Sequence, residues 1–223
     1  MNKYLYFLLL FIIASCDLRN VESYVIEAEK LSENGNYLDA NKLLDKALDK
    51  DPYSITAYIN KGANLAALKK FEDAIKIYNK ALSIDSENTM ILYNLGNNYK
   101  QIEKYNIALL YYSKALNTKG GENIYFDYDN ENSYIELGNN YDIEGSEIFF
   151  QRGITYLCLD SIKSSISDFK RCVSNNYNLP KCYYYLGINY YKISQDSLGC
   201  DYLKKSAFWK DKDAIEALSE YCK

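Results

Sequence analysis

The chain has 223 residues and a formal net charge of −4, and it contains 25 Tyr, 2 Pro and no His. The absence of His excludes Ser-His-Asp and Cys-His catalysis, histidine metal ligands and imidazole proton transfer. The mild negative charge argues against a nucleic-acid partner, which requires a basic surface. The sequence also lacks a Gly-rich phosphate loop, a Gly-x-Ser-x-Gly motif and a Cys-x-x-Cys pair. We therefore expect neither an enzyme nor a cofactor or metal site.

Residues 1–15 have the composition of a secretory signal peptide. The positive charge of Lys3 is followed by an uninterrupted apolar run at residues 4–13. This run is too short for the hydrocarbon core of a membrane, which needs about 20 residues. It is typical of a signal peptide, although a buried first helix remains an alternative.

The motif Ile13-Ala14-Ser15-Cys16 resembles the bacterial lipobox. The resemblance implies cleavage before Cys16, whose thiol would then carry a diacylglycerol, with palmitate as the expected acyl chain. Two or three acyl chains hold a protein stably at a membrane, so the protein would be lipid-anchored in the bacterial cell envelope. Residues 16–20 would form a tether of less than about 20 Å. A plain secretory signal is the alternative.

The rest of the chain contains a repeat of 34 residues. Shifting the sequence by this length aligns three columns of residues: Tyr37, Phe71 and Tyr105; Ala40, Ala74 and Ala108; Ala47, Ala81 and Ala115. A period of this size predicts a solenoid. Within each unit the apolar residues recur at helical spacing, which predicts two amphipathic helices joined by a tight turn.

A column of small residues in the first helix of each unit is followed three residues later by a column of large ones. The columns are Ala28, Gly62, Gly96, Gly153 and Gly187, and Leu31, Leu65, Tyr99, Tyr156 and Tyr190. Together these columns resemble the tetratricopeptide repeat. The resemblance implies an all-α fold, a right-handed solenoid of five helix hairpins. Three units occupy residues 21–122, two occupy residues 146–213, and a capping helix follows at residues 214–223.

The fourth and fifth units lack the alanines expected in their second helices. Ser165 and Cys172 replace alanine in the fourth unit, and Gly199 and Ser206 replace it in the fifth. We expect the helix pairing of these two units to be less regular.

An acidic insertion at residues 123–145 interrupts the period. Residues 124–128 alternate between apolar and other side chains, a turn sequence follows, and residues 133–137 alternate again, which favours a short β-hairpin. The competing interpretation is a vestigial repeat helix, since residues 137–141 repeat the sequence of residues 95–99. The spacing of acidic residues does not fit a calcium loop.

Five cysteines follow Cys16, all in the last third of the chain. An exported protein permits disulfides. Cys200, in the second helix of the fifth unit, and Cys222, at the end of the capping helix, are the expected pair because the cap must pack on that helix. The alternative is that all five are small buried hydrophobic residues.

The inner face of the solenoid, formed by the first helices, is the expected partner-binding groove. Its predicted residues share one helical face and are Tyr93, Asn97, Phe150, Ile154, Leu157, Tyr184, Ile188 and Tyr191. The apolar and aromatic character of the fourth and fifth units suits an apolar peptide or helix. A second hypothesis is that the insertion folds onto this face. The few basic residues do not support a carboxylate clamp.

The functional prediction is therefore a lipid-anchored scaffold that binds a protein or peptide partner at a membrane surface, without catalysis. The alternative is a lipoprotein that binds a glycan or another solute through its aromatic groove, since the 25 Tyr could offer flat faces to sugars.

Overall fold

A computed structural model of the protein describes residues 19–118 and 143–222. The predicted signal peptide, the lipid-attachment residue Cys16 and most of the acidic insertion lie outside these residues, as do both interpretations of the insertion. In the described ranges the secondary structure is entirely helical. No helix there is both long enough and apolar enough to cross a membrane.

Eleven helices are described, and they pack in chain order. They are α1 Val21–Glu33, α2 Tyr37–Lys50, α3 Ile55–Ala67, α4 Phe71–Ile84, α5 Thr89–Gln101, α6 Tyr105–Leu116, α7 Gly145–Cys158, α8 Ile162–Ser174, α9 Leu179–Lys192, α10 Asp196–Phe208 and α11 Lys212–Tyr221. The first ten form five hairpins, and α11 packs on the last one. The first helices of the first four hairpins, α1, α3, α5 and α7, contact one another in order, so the first helices form one continuous face, which we call the first-helix face.

Local sequence determines where the helices start. Four helices, α1, α3, α5 and α11, follow a residue whose side chain accepts a hydrogen bond from their first turn, and these residues are Asn20, Ser54, Asn88 and Asp211. Such side chains satisfy backbone N–H groups that have no partner within the helix. The second helices start differently, after a residue with a left-handed backbone: Gly35, Lys69, Glu103, Asp160 and Ser194.

Each hairpin closes over the small residue that defines the repeat. A Cβ atom added at Gly62 would lie 2.6 Å from the ring of Tyr78, and one added at Gly96 would lie 2.6 Å from the ring of Tyr112. Both tyrosines are fully buried. The glycines therefore provide the space that the second helix fills with an aromatic ring.

The stack continues directly from the third hairpin to the fourth, on either side of the insertion. The hydroxyl of Tyr93 in α5 donates to Oε1 of Glu147 in α7 at 2.6 Å. The guanidinium of Arg152 in α7 donates to Ser113 in α6 at 3.2 Å, and its other nitrogens bind both carboxylate oxygens of Asp168 at 2.7 and 2.8 Å. The third and fourth hairpins are thus in direct contact, although the insertion separates α6 from α7 in the sequence.

The residues that replace alanine in the second helices of the last two units make contacts of their own. The hydroxyl of Ser165 donates to the carbonyl of Gly153 at 2.9 Å, so the polar replacement has a backbone partner. In the fifth unit, a Cβ added at Gly199 would lie 3.0 Å from the carbonyl oxygen of Gly187. The two glycines thus bring the backbones of α9 and α10 into closer approach than alanine would permit.

Candidate functional site

The structure places two of the predicted groove residues in the core. Tyr93 exposes 6% of its surface and Phe150 exposes 8%. Phe150 packs edge-on against the ring of Phe169, with the ring centroids 5.8 Å apart. Side chains with so little exposed area cannot offer it to a partner. The expectation that these two residues line the groove is therefore corrected: they hold hairpins together.

Tyr93 also has a polar role inside the stack. Burial, together with the hydrogen bond to Glu147, raises the pKa of Tyr93 above its ordinary value. The phenol is therefore neutral at physiological pH and serves as a hydrogen-bond donor between the third and fourth units.

In the fifth unit the capping helix covers much of the first-helix face. Tyr184 and Ile188 are half-buried against a cluster that includes Leu203 of α10 and residues of α11. The rings of Tyr191 and Tyr221 are 4.5 Å apart, and Tyr191 keeps 36% of its surface exposed. These contacts occupy the apolar, aromatic end at which we expected a partner.

A disulfide links the capping helix to the fifth hairpin at the same end of the solenoid. Cys200 of α10 and Cys222, which follows α11, are joined with their Cα atoms 5.7 Å apart. Of the other described cysteines, Cys172 and Cys182 are buried thiols and Cys158 is exposed.

The middle of the first-helix face is open. A cavity of about 400 Å³ lies among three first helices and α4. Its lining residues are Ala63 and Ala66 of α3, Phe71 and Tyr78 of α4, Asn94, Asn97, Asn98, Lys100 and Gln101 of α5, and Gln151 of α7. Five of these ten side chains are amides, so we call the space the amide cavity. Of the predicted groove residues, only Asn97 lines it.

The remaining two predicted residues, Ile154 and Leu157, lie on α7 beyond the amide cavity. Both are half-buried, and Ile154 packs against the apolar core of the fourth and fifth units. They keep some surface on the first-helix face, although neither lines the cavity.

Asn98 places an unsatisfied acceptor at the wall of the amide cavity. Its side chain is 3% exposed, and its Nδ2 donates to the carbonyl of Asn94 at 2.8 Å. Its Oδ1 is buried without a hydrogen-bond partner in the described structure. A buried acceptor left without a partner costs about 1–3 kcal/mol, and Oδ1 of Asn189 in the fifth unit is buried without a partner in the same way.

Lys100 supplies the only positive charge among the cavity residues. Its Nζ donates to Oε1 of Gln151, which is a neutral partner, and no carboxylate within the described ranges forms an ion pair with it. Burial lowers the pKa of Lys100, because a charged ammonium loses hydration in the stack. The ammonium can therefore gain from a carboxylate or carbonyl oxygen supplied by a ligand.

Asn97 completes the polar wall. Its Oδ1 accepts a hydrogen bond from the hydroxyl of Tyr112 at 2.7 Å. Asn97 also forms a side-chain hydrogen bond with Tyr93. The side-chain amides and the ammonium of Lys100 give the cavity wall both donors and acceptors, which suits the alternating N–H and C=O groups of a peptide backbone.

The sequence analysis missed Asn98, although the repeat contained a signal. Asn64, Asn98 and Asn189 occupy the same position of their units, and all three are buried. Asn64 donates to Asn41 at 3.1 Å and Asn189 donates to Ser165 at 2.8 Å, and both partners belong to the preceding hairpin. The hairpin before Asn98 carries Ile75 at the position of Asn41, and Nδ2 of Asn98 donates instead to the carbonyl of Asn94 in its own helix.

No group of three or more Cys, Asp or Glu side chains in the described residues is arranged to hold a metal ion. The amide cavity can therefore bind a ligand through hydrogen bonds and through the positive charge of Lys100.

Comparison with known proteins supports the repeat interpretation. Residues 62–102 match a family described as TPR repeat, and residues 91–120 match a family described as tetratricopeptide repeat. Among curated proteins, no sequence matches the chain significantly.

Solved structures resemble the whole fold. The TPR protein YrrB, described as having an unusual peptide-binding site, is 21% identical with a TM-score of 0.67, over 88% of this chain and 90% of that one. MamA from Desulfovibrio magneticus is 14% identical with a TM-score of 0.70, over 85% and 94%. PilF from Pseudomonas aeruginosa is 19% identical with a TM-score of 0.66, over 91% and 92%. The prediction of an all-α solenoid of helix hairpins is confirmed.

Proposed function

We propose that this protein is an exported, lipid-anchored scaffold that binds a protein or peptide partner on its first-helix face, without catalysis. The observation that carries the proposal is the amide cavity, which is lined by five amide side chains and by a lysine that has no acidic partner in the described ranges. The bound group is an extended polar segment of a protein. It lies across α3, α5 and α7, the helices that line the first-helix side of the cavity.

The chemistry of the cavity favours a peptide backbone as the ligand. A backbone N–H can donate to a side-chain amide oxygen of the cavity wall, while backbone carbonyls or an acidic side chain can accept from Lys100 and the neighbouring amides. The small side chains of Ala63 and Ala66 leave room for the main chain to approach α3. The peptide-binding site described for YrrB is consistent with this use of the fold.

The glycan alternative receives less support. It required exposed aromatic faces on the fourth and fifth units. Phe150 is buried there, and Tyr184 and Tyr191 pack against residues of the capped end.

Site-specific crosslinking tests the proposed groove. A photoreactive amino acid at Ala66, inside the cavity, should crosslink to a partner segment in envelope fractions. The same amino acid at Lys76, exposed on α4, is the matched control and should crosslink weakly. Lys100→Gln should reduce crosslinking at Ala66 several-fold without changing thermal unfolding. Equal crosslinking at both positions would exclude the cavity as the binding site.

The charge of Lys100 gives the binding a definite pH dependence. An acidic group bound beside Lys100 would raise its pKa above the lowered value of the free protein. Binding of an acidic segment is therefore strongest while the lysine is charged, and it weakens as pH rises through the pKa of the complex. In Lys100→Gln this dependence should disappear, which isothermal titration at increasing pH can measure.

The lipid anchor is a separate part of the proposal, and it rests on the lipobox resemblance at Cys16. Its test is metabolic labelling with a radioactive fatty acid in a bacterial host. The wild-type chain should incorporate the label, and Cys16→Ala should not. Equal incorporation by the variant would refute attachment at Cys16.

A further inference from the structure

All first helices begin, and all second helices end, at one edge of the stack. Three hydrogen bonds mark this edge by linking the start of a first helix to the end of the second helix in the same hairpin. They are Thr89 to Thr118 at 2.5 Å, Asn175 to Ser146 at 2.9 Å and Ser206 to the carbonyl of Pro180 at 2.7 Å. Because α1 starts at Val21, the N-terminal segment joins the solenoid at this edge.

At the other end of the solenoid, the same edge carries two exposed aromatic side chains. Phe208, the last residue of α10, is 82% exposed, and the adjacent Trp209 is 55% exposed. Their ring centroids are 6.1 Å apart, so they form one apolar projection. Exposed aromatic area of this kind is unfavourable in water and marks a contact surface.

The turn that carries these rings is positively charged. Asp211 within it and Asp213 just after it both form ion pairs with Lys181, at 2.8 and 2.6 Å. Lys210 and Lys212 are exposed, and neither forms an ion pair with the described part of the chain. We call residues 208–212 the aromatic turn.

We propose that the aromatic turn docks onto the surface of an anionic phospholipid bilayer. Trp prefers the headgroup region, where its ring is in an apolar setting and its N–H stays hydrated, and the purely apolar ring of Phe208 can enter the boundary between headgroups and acyl chains. Lys210 and Lys212 supply the attraction to anionic headgroups. The inference rests on the proposed lipid anchor for its geometry, since a tether of less than about 20 Å would hold the same edge near the membrane.

The charge distribution limits the contact to the ends of the solenoid. The acidic insertion leaves the stack at this edge, between Thr118 and Ile143, where an anionic surface would repel it. The protein would therefore touch the membrane at the anchor and at the aromatic turn. These two contacts would keep the amide cavity at a constant orientation to the bilayer.

Trp209 is the only tryptophan of the chain, so its fluorescence reports directly on the aromatic turn. When the full-length acylated protein is placed on phosphatidylglycerol-containing vesicles, Trp209 emission should shift to the blue and brominated lipids should quench it. The double variant Lys210→Glu/Lys212→Glu should lose most of both effects. The matched control, Lys76→Glu/Lys80→Glu on the exposed surface of α4, makes the same charge change and should keep them.

Two readouts separate this inference from the lipid anchor. Fatty-acid label reports acylation, and Trp209 emission reports docking. Labelled protein that shows no blue shift on anionic vesicles overturns docking and leaves the anchor intact. Unlabelled protein that still shifts when anionic vesicles are added supports docking and refutes the anchor. A shift that requires a purified protein partner and not lipid also overturns docking, because the turn would then be a protein-binding surface.

Discussion

The third and fifth hairpins present equivalent positions on the first-helix face. In the third hairpin these positions line an open cavity, whereas in the fifth they are covered by other residues. Lys100 and Tyr191 occupy the same position of their units, and so do Asn97 and Ile188. Lys100 and Asn97 line the amide cavity, whereas Ile188 and Tyr191 pack against the residues that close the fifth unit. The difference shows that the helix following a hairpin decides whether its inner face remains available.

The largest effect should follow from removing the side chain that secures α7, one wall of the open region. Arg152→Ala leaves the carboxylate of Asp168, which is 4% exposed, buried without its partner. We expect a loss of about 4 kcal/mol in the free energy of unfolding, typical of a broken buried pair. Urea denaturation measures it. Lys76→Ala, which breaks an exposed pair with Asp73, is the control. A similar small change in both variants would contradict the stated role.

The closed end should depend on its disulfide. Cys222→Ser removes a crosslink between residues 22 positions apart, which should cost about 3 kcal/mol of unfolding free energy under oxidising conditions. Reducing agent should destabilise the wild type by a comparable amount and leave the variant unchanged. If reductant affects both equally, the pairing of Cys200 with Cys222 is wrong.

Alanine at the repeat glycine should distinguish the two hairpins. At Gly96 the new Cβ meets only the ring of Tyr112, whereas at Gly187 it meets the side chain of Leu203 and, in addition, the backbone oxygen of Gly199 at 3.0 Å. Backbone cannot yield as easily as a ring. Overpacking should therefore cost about 2 kcal/mol at Gly187 and about 1 kcal/mol at Gly96. Thermal unfolding of the two variants gives this order, and a reversed order would indicate that the fifth hairpin is the looser one.

The smallest effect should come from uncovering the closed face. Tyr221→Ala removes the ring that stacks on Tyr191, at an expected cost of about 1 kcal/mol. The exposed apolar surface should increase the binding of a hydrophobic dye. Tyr53→Ala, at a tyrosine that is 74% exposed, should change neither quantity. Unchanged dye binding by Tyr221→Ala would mean that the cap does not shield this face.

Local patterns in the sequence were enough to predict the helices. The spacing of Gly62 and Gly96 with Tyr78 and Tyr112 reflects contacts inside one hairpin, which recur with the repeat. The start of the capping helix was placed at residue 214, whereas α11 begins at Lys212, because the capping side chain of Asp211 was not recognised. Boundaries of this kind depend on a single hydrogen bond.

The groove was predicted less well, for a different physical reason. Helical periodicity assigns residues to a face, but it does not say which helix will cover that face. Phe150 has the periodicity of a groove residue, yet α8 and α9 bury it through Phe169 and Tyr185. Asn98 has the periodicity of a core residue and is buried, yet it lies at the wall of the amide cavity.

The sequence by itself therefore determined the repeat and the five hairpins. It also indicated the pairing of Cys200 with Cys222, because the capping helix must pack on the preceding helix. Each of these depends on contacts between residues close together in the chain or related by one period. Only the tertiary structure decided that the groove is open beside Lys100 and closed beside Tyr191. Exposure is a property of the assembled stack, since it depends on helices distant in sequence and on how much space their side chains leave.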